Sequence, residues 1–559
     1  MLASPIAGDC RGRNFYGLDE SLRRLLPLYL EASWRARLEP HFDHLGAIAG
    51  GRLDELAATA DRHPPVLHVR DPLGRDAEWI EYHPSYREME KIAFADFALH
   101  AMSHRAGVLG SPAPLPAVGK YVFQYLFVEG EFGLMCPISL TDTAIFLIRR
   151  HGSQKLKDLL LPRMLSADPA VMWKGAQFMT ERAGGSDVGA IETVAHSRDG
   201  VWRLTGDKWF CSHADADVAL VLARPAGAPS GTRGLALFAL TRRLASGERN
   251  AYRIVRLKEK LGTRSMASGE IRLEGAVAHL IGEPGEGLKQ MLDQVNLSRL
   301  SHGVRAAAMM RRCLNEALHA VRERRAFGRA VIEQPLMRRQ LMKVMVPTEE
   351  ALSMSLFTAS LMDREDETLL RILTPLLKFR ACRDNLKVAS GAMEARGGNG
   401  YIEEWVTARL VRDAHVGVLW EGTSNIVALD LVTRAVGRHQ AHRPLIKLLN
   451  ERLAATPLPP IFRARLGDAL ERAMRFAESV ARDAGHESEA RAAASALYHA
   501  TSAVLLAHEG MQDPHEARRA LLSRFVLEHH LSPRDPLSLN AGTWENEAGD
   551  ALLNETPMP

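Results

Sequence analysis

The chain has 559 residues, a formal net charge of +4 at pH 7, 46% hydrophobic residues and 25% charged residues. This length requires more than one packed core, and this composition excludes long disordered stretches. The small positive charge permits an anionic partner without requiring one. The five cysteines form no Cys-x-x-Cys pair and no cluster with histidines, so they indicate neither a disulfide framework nor a metal site.

Residues 1–14 mix Pro, Gly, Asp and Arg before any apolar run, which differs from a secretory signal. The sequence contains no run of about 18 uncharged apolar residues, so we expect no membrane span. Together with the scattered cysteines, these features predict a cytoplasmic protein.

Residues 1–170 are predicted to form an N-terminal helical domain, with a helical pattern from about Leu18 to Leu165. Apolar residues recur at helix spacing near its start, at Leu22, Leu25, Leu26 and Leu30. Three aromatic residues are expected to pack in the core, namely Phe123, Phe127 and Phe132.

Residues 171–286 are predicted to form a β domain, because the apolar period shortens and Gly, Pro and Asp turns separate the segments. The predicted strands include 201–205, 218–222, 235–240, 254–257 and 271–273. No Gly-x-Gly-x-x-Gly follows a strand, so a Rossmann unit is not indicated. A β domain between helical flanks indicates an insertion rather than alternating β-α units.

Residues 287–438 are predicted to form a helical bundle, with long helices at 335–362 and 369–396. A stripe of Met310, Leu314, Leu318 and Val321 marks its first helix, which should end near Arg324. Residues 439–531 are predicted to be an appended helical domain, divided by a linker with Pro457, Pro459 and Pro460. Residues 532–559 are predicted to be a partly extended tail. The fold class is therefore mainly α with a central β domain.

Glu421 lies between Trp420 and the small polar run Gly-Thr-Ser-Asn, at a predicted junction between elements where backbone amides and hydroxyls are exposed. Upstream, residues 397–401 read Gly-Gly-Asn-Gly-Tyr, which allows close approach of backbone to a ligand. Taken alone, Glu421 fits a solvated carboxylate at a helix end better than a site residue, so its interpretation depends on the other motifs.

Five motifs in order resemble the acyl-CoA dehydrogenase flavoproteins over roughly residues 130–435. The motifs are the Met-Thr-Glu turn to Gly-Gly-Ser-Asp at 179–187, Gly-Asp-Lys-Trp at 206–209, Leu-Gly-Thr-Arg at 261–264, Arg324 to Gly328, and the Gly-Gly-x-Gly-Tyr to Glu-Gly-Thr region. The resemblance implies a helical domain, a β-barrel or β-sandwich domain and a four-helix bundle. It also implies FAD, an acyl-CoA thioester, an electron-transfer acceptor and a homotetramer.

A flavin needs an aromatic wall, backbone donors and hydroxyls, which Trp209 and the turn at 180–186 offer. Trp209 also fits a core strand aromatic, and Arg324 also fits a helix C-terminus. By resemblance, the residues that contact FAD are Met179, Thr180, Ser186 and Trp209, with Cys211 and Ser212 near flavin N5. A neighbouring subunit's FAD would be reached by Arg324, Phe327, Gln334, Gly397 and Gly398, and the subunit's own FAD by Thr423 and Asn425.

By the same resemblance, Glu421 is the base that removes the α proton of the thioester, and Arg299, Trp420 and Gly422 line the substrate site. Arg299 also fits a charge exposed on a helix. Two departures from the family pattern concern this site. The residues directly before Arg299, Asn-Leu-Ser at 296–298, include no acid, and Trp420 stands where the family usually has Tyr. A third departure is Cys211, which stands where the family has Ser or Thr.

These departures and the appended helices resemble the AidB branch of the family. That resemblance implies an alternative function, the binding of double-stranded DNA in the response to DNA alkylation, with weak dehydrogenase activity. The basic residues between 434 and 475 would form the DNA surface, although they fit a solvated helical face better. A flavin-dependent oxygenase is a third possibility that the intact Glu421 disfavours.

Overall fold

The computed structural model describes residues 6–512, 517–533, 535, 537 and 543–554. Within these ranges the α-helices are α1 Phe15–Leu18, α2 Glu20–Tyr29, α3 Ala32–Gly50, α4 Arg52–Arg62, α5 Pro84–Glu90, α6 Ala117–Gly130, α7 Met135–His151, α8 Gln154–Met164, α9 Gly287–Glu323, α10 Pro335–Met362, α11 Glu367–Arg396, α12 Val406–Gly417, α13 Ser424–Leu429, α14 His442–Ala455, α15 Pro460–Arg482, α16 Ala490–Gly510, α17 Ala517–Val526 and α18 Thr543–Asn554. The strands are β1 Val66–Arg70, β2 Asp76–Glu81, β3 Gly175–Phe178, β4 Val194–Arg198, β5 Val201–Ser212, β6 Val218–Pro225, β7 Ala236–Thr241, β8 Tyr252–Leu257, β9 Ser268–Ile281, β10 Arg325–Ala326 and β11 Arg329–Ala330. Three segments are π-helical: Lys91–Asp96, Asp430–Arg438 and Leu527–Leu531.

The chain divides into two compact units. The first unit comprises Met1–Arg52, Ala117–Gly130 and Arg299–Pro559, and the second comprises Leu53–Pro116 and Glu131–Ser298. The N-terminal helices are thus shared between the two units. The predicted domain boundaries at 170, 286, 438 and 531 stay a prediction.

A β barrel forms the centre of the second unit. Strands β4, β5, β9, β7 and β6 pair in a closed cycle, while β3 extends it parallel to β6 and β8 pairs with β9. Strands β6 and β7 are buried along nearly their whole length, which explains their uninterrupted apolar sequences. Each predicted strand is confirmed within a longer observed one, except that β7 begins one residue later.

The core of the second unit joins the barrel to α7 and α8. Its buried apolar residues include Ile145, Ile148, Leu160, Leu220, Leu237 and Ile281. The prediction of continuous helix from Leu18 to Leu165 is wrong at residues 66–81, where β1 and β2 form an antiparallel hairpin. Side chains along β2 alternate between exposed and buried, as in a half-buried strand. The two strands are too short for this alternation to stand out in the sequence from the helical pattern on either side.

Long helices form the body of the first unit. The apolar stripe of α9 is buried, as predicted, at Met310, Leu314, Leu318 and Val321. The helix ends at Glu323, one residue before Arg324, and α10 and α11 pack against each other over their length. The predicted core aromatics Phe123, Phe127 and Phe132 are buried in their respective units.

The appended helices α14 to α17 belong to the first unit, where α16 packs on α10 and α11. Residues 456–459 separate α14 from α15, as the prolines predict. The predicted extended tail is wrong at Thr543–Asn554, which forms α18 with Leu552 and Leu553 buried. The tail residues 534, 536, 538–542 and 555–559 lie outside the described residues.

A chain of buried charges connects these helices within the first unit. Arg311 Nε lies 3.0 Å from Asp19 Oδ2, and its Nη2 lies 2.6 Å from Glu349 Oε1. Arg519 Nη1 lies 2.7 Å from Glu349 Oε2, and its Nη2 lies 3.0 Å from Glu509 Oε2. This buried charge chain joins α9, α10, α16 and α17 to the start of α2.

All five cysteines are free and buried, as the absence of a disulfide framework predicts. In the part of the chain that the structure describes, no helix is both long enough and apolar enough to cross a membrane.

Candidate active site

In the second unit, a buried ion pair holds the turn at 179–187 against strand β5. Lys208 Nζ lies 2.6 Å from Glu181 Oε1 and donates to Leu222 O at 2.8 Å. Burial alone raises the pKa of Glu181, but the Lys208 ammonium and hydrogen bonds lower it below its ordinary value. The Trp209 amide donates to Thr180 O at 2.8 Å, so two of the sequence motifs form one structure.

Trp209 presents a half-buried indole on this structure. Lys258 Nζ lies 3.3 Å from the centroid of its ring, and Arg182 Cζ lies 5.7 Å from it. Thr180 and Met179 are half-buried and Ser186 is exposed, so each keeps surface that a ligand could contact. Lys258 was not among the predicted site residues, although it lies directly before Glu259 in the segment that contains the Leu-Gly-Thr-Arg motif.

Cys211 and Ser212 end strand β5 in different environments. The Cys211 side chain is completely buried, and burial raises the pKa of its thiol well above the ordinary value. Ser212 is half-buried, and a register irregularity between Lys208 and Cys211 interrupts the pairing of β5 with β9. Of the two residues predicted to lie near flavin N5, Ser212 is therefore the one with accessible surface.

In the first unit, Glu421 lies in the turn between α12 and α13. Its φ is +55°, in the left-handed region that side chains other than glycine seldom adopt. Such a conformation costs about 1 kcal/mol or more and persists only where surrounding contacts fix it. Two buried cations supply those contacts: Arg299 Nε donates to Glu421 O at 3.4 Å, and Lys378 Nζ donates to Gly422 O at 2.5 Å.

Arg299 is buried rather than exposed, so its interpretation as a solvated helix charge is wrong. Its Nη1 lies 2.7 Å from Asp430 Oδ2, and Arg371 Nη2 lies 2.7 Å from Asp430 Oδ1. Burial alone raises the pKa of Asp430, but the two guanidinium groups lower it below its usual range. Arg299 thus has a buried carboxylate partner, from a position 131 residues later in the chain.

Lys378 is 1% exposed, and its ammonium has no carboxylate in salt-bridge contact among the described residues. Burial and the Arg299 charge lower the pKa of Lys378 to about 8, whereas Cys382 and Glu421 raise it. Trp420 contacts the buried His302 edge to face, with ring centroids 5.6 Å apart. Sequence analysis missed Lys378, although a lysine inside the apolar run Leu376-Leu377-Lys378-Phe379 was a signal.

Arg324, Gln334 and Gly397 lie together around the hairpin of β10 and β11. Arg324 Nη1 donates to Ala395 O at 2.6 Å, and Gln334 Nε2 donates to Ala326 O at 3.3 Å. Gly397 has a φ of +80°, and a Cβ there would lie 3.0 Å from Arg324 Nη2, so this position requires glycine. Gly398 is exposed beside it.

Phe327 occupies the tip of this hairpin. Its side chain is 96% exposed, and its φ of +53° is a left-handed value that a bulky residue seldom adopts. Thr423 precedes α13 without a side-chain capping hydrogen bond, and Asn425 Oδ1 lies 3.5 Å from Arg491 Nη1.

Several basic residues between 434 and 475 lie near acids of their own helices or of neighbouring ones. Arg434, Arg472 and Arg475 lie 3.5–3.7 Å from acids four residues earlier, and Arg443 lies 3.7 Å from Glu478. These exposed pairs favour a solvated face over a surface of unneutralised cations.

Three family models match consecutive parts of the chain. They are the AidB N-terminal domain at residues 7–168, the acyl-CoA dehydrogenase middle domain at 176–276 and the acyl-CoA dehydrogenase C-terminal domain at 285–437. The putative acyl-CoA dehydrogenase AidB of Escherichia coli is 33% identical over 391 residues, which are 68% of this chain and 70% of that protein.

Among solved structures, Caenorhabditis elegans ACDH-11 in complex with C11-CoA is 26% identical with a TM-score of 0.85, over 99% of this chain and 97% of that one. An acyl-CoA dehydrogenase from Bacillus anthracis complexed with FAD has a TM-score of 0.75 over 98% of this chain and 100% of that one. At 17% identity it shows the shared fold alone.

Proposed function

Since this chain belongs to the acyl-CoA dehydrogenase family, we propose that it removes the α and β hydrogens of an acyl-CoA thioester, with Glu421 as the base for the α proton. The observation that supports this most is the turn of Glu421, in which a left-handed carboxylate-bearing residue is fixed by two buried cations. Strain that the surroundings maintain at one titratable residue is typical of a functional site.

The cofactor of this oxidoreductase is FAD. The donor set of the second unit fits a flavin: it comprises the half-buried indole of Trp209 and the accessible hydroxyls of Thr180, Ser186 and Ser212. We assign Met179, Thr180, Ser186, Trp209, Cys211, Ser212, Thr423 and Asn425 to FAD. When bound, FAD supplies the hydride acceptor.

The residues of this chain hold the base and the thioester. Arg299 and Lys378 bind the carbonyl oxygens of Glu421 and Gly422, which limits rotation of the peptides that carry the base. The Glu421 amide would donate to the thioester oxygen as enolate charge develops, which is the usual means of stabilising such a charge. Trp420, with Gly422, would limit the acyl channel. Arg299, whose charge is balanced by Asp430, acts as a positioning residue in this scheme.

Lys378 is a further positioning residue in this proposal. In the Lys378→Met variant, the acid limb of the rate–pH profile of flavin reduction should move to higher pH by about one pH unit, because the lost cation no longer favours the ionised carboxylate of Glu421. Stopped-flow reduction measured from pH 5 to 9 gives the profile. Lys378→Arg retains the charge and should retain the wild-type limb, and Lys447→Met, at an exposed lysine, should change nothing. An unshifted limb in Lys378→Met would remove Lys378 from the mechanism.

We propose a homotetramer in which Arg324, Phe327, Gln334, Gly397 and Gly398 reach the FAD of a neighbouring subunit. The strained and almost fully exposed Phe327 supports this, because an isolated subunit gains nothing from that conformation.

Phe327→Gln should weaken subunit association by about 30-fold or more per contact, the effect of removing a buried aromatic anchor, and should release flavin. Light scattering after size-exclusion chromatography and the flavin-to-protein absorbance ratio measure both effects. Ile461→Gln, at another highly exposed apolar residue, is the matched control and should change neither. Intact tetramers with full flavin in Phe327→Gln would contradict the proposal.

Binding of double-stranded DNA remains the alternative, with dehydrogenase activity residual. The ion pairs of Arg443, Arg472 and Arg475 count against this alternative, since each acid reduces the charge offered to phosphates. A gel shift with duplex DNA at low and high salt tests this alternative.

The proposed dehydrogenase is tested by anaerobic reduction of its bound flavin with acyl-CoA thioesters of graded chain length. The panel includes a C11 thioester because ACDH-11 was solved with C11-CoA. Rapid bleaching by one chain length would support the proposal and identify the substrate class. Bound flavin that no thioester reduces would refute it.

A further inference from the structure

Glu350, His499 and His530 form a compact cluster in the first unit, away from every residue assigned above. Glu350 lies on α10, His499 on α16 and His530 in the π-helical segment Leu527–Leu531. One nitrogen or oxygen atom from each residue lies within 4.8 Å of the other two. His499 Nδ1 is 2.8 Å from Glu350 Oε1, and the two imidazole rings stack with centroids 4.1 Å apart.

The Glu350 carboxylate lacks a full set of partners. Its Oε1 accepts a hydrogen bond from Ser502 Oγ at 2.6 Å in addition to the His499 contact. Its Oε2 is buried and has no hydrogen-bond partner among the described residues. Arg380, a cation that acts on this cluster, forms a two-pronged ion pair with Asp384 instead. A buried carboxylate with a vacant oxygen and no cationic partner is costly, and a bound cation would offset that cost.

The two histidines each offer a ring nitrogen to the cluster, and an imidazole nitrogen is the commonest metal ligand among protein side chains. His530 retains exposed surface, which provides an entry path and room for a water ligand. Two neutral imidazoles, one carboxylate and a water are an ordinary ligand set for a divalent transition metal such as Zn²⁺.

We propose that Glu350, His499 and His530 bind a divalent transition-metal ion that clamps α10 to α16 and to the segment Leu527–Leu531. The two rings stack in parallel, so the exposed His530 would rotate for one nitrogen of each ring to face the ion. Ser502 would remain hydrogen-bonded to Glu350 and orient the carboxylate from outside the ligand set. The sequence gives no indication of this site because its ligands are 149 and 31 residues apart and form no local motif.

Isothermal titration of the chelator-treated full-length flavoprotein with ZnCl₂ tests this proposal. We expect one ion per chain and an increase in the temperature of unfolding. His530→Ala removes an exposed ligand and should leave the fold intact while weakening binding by about 100-fold or more. His486→Ala, at an exposed histidine elsewhere in the same unit, should bind as the wild type does.

Two results would overturn the proposal. One is the absence of Zn²⁺ binding by a folded wild-type protein. The other is binding that His530→Ala leaves unchanged, which would locate the ion at an unrelated surface site. Glu350→Gln is a second test, because it retains the hydrogen-bonding capacity of the side chain while removing the charge, and it should also lose the Zn²⁺-dependent rise in unfolding temperature.

Discussion

Glu421→Gln should lower the rate of flavin reduction by acyl-CoA thioesters by at least about 10³-fold, the scale at which a positioned general base contributes. The amide cannot accept the α proton, yet it has nearly the same shape as the carboxylate. The backbone contacts of Arg299 and Lys378 go to carbonyl oxygens and should survive the substitution. The variant should therefore bind flavin and thioester normally and fail only in the proton transfer.

The measurement is single-turnover reduction under anaerobic conditions, with flavin content and thermal stability recorded for each protein. Glu404→Gln is the matched control, because Glu404 is an exposed glutamate just before α12, whereas Glu421 follows that helix. This variant should retain full activity. A Glu421→Gln variant that reduces its flavin at the wild-type rate would exclude Glu421 as the base and leave the strained turn without a catalytic explanation.

Glu349→Gln should lower the free energy of unfolding by about 3–5 kcal/mol, the usual loss when one partner of a buried ion pair is removed. Glu349 is completely buried and accepts charge-assisted hydrogen bonds from Arg311 and Arg519 on opposite oxygens. The neutral amide removes the one carboxylate that both guanidinium groups share, and leaves Arg311 with Asp19 and Arg519 with Glu509. Urea unfolding followed by circular dichroism gives the loss.

Glu471→Gln provides the control, since Glu471 forms only an exposed pair with Arg475 and should contribute less than about 1 kcal/mol. The pH dependence gives an independent check. Burial alone raises the pKa of Glu349, but Arg311 and Arg519 hold this pKa far below its ordinary value. As pH falls, Glu349 therefore takes up a proton in the unfolded chain before it does so in the folded protein. The stability contributed by Glu349 is present above about pH 4.5 and is lost below it, so the difference between wild type and variant should shrink in acid.

The sequence predicts those parts of this molecule that depend on local periodicity. Helices α9, α10 and α11 follow from apolar stripes, and the barrel strands follow from short apolar runs between turns. The β1–β2 hairpin was missed because its strands are short and flanked by long helices. Helix α18 was missed because the Pro-, Asn- and acid-rich composition around it conceals a short apolar face.

The site divides in the same way. Glu421 and Trp209 could be proposed from the sequence because each lies in a distinctive local motif, and Arg299 could be proposed by resemblance. The contacts around Glu421 could not, since Arg371, Lys378 and Asp430 come from separated segments that only the fold brings together with Arg299. A single sequence contains no signal for which buried cation faces which carbonyl.

The left-handed backbone of Glu421 also bears on how this protein would change over generations. A glycine at that position would keep the turn without its conformational cost, so stability alone favours losing the carboxylate. Under the proposed role of Glu421 as the base, selection for turnover opposes that drift. A descendant freed from that selection, for instance one retained only to bind another molecule, would shed its glutamate early and fold at least as well without it.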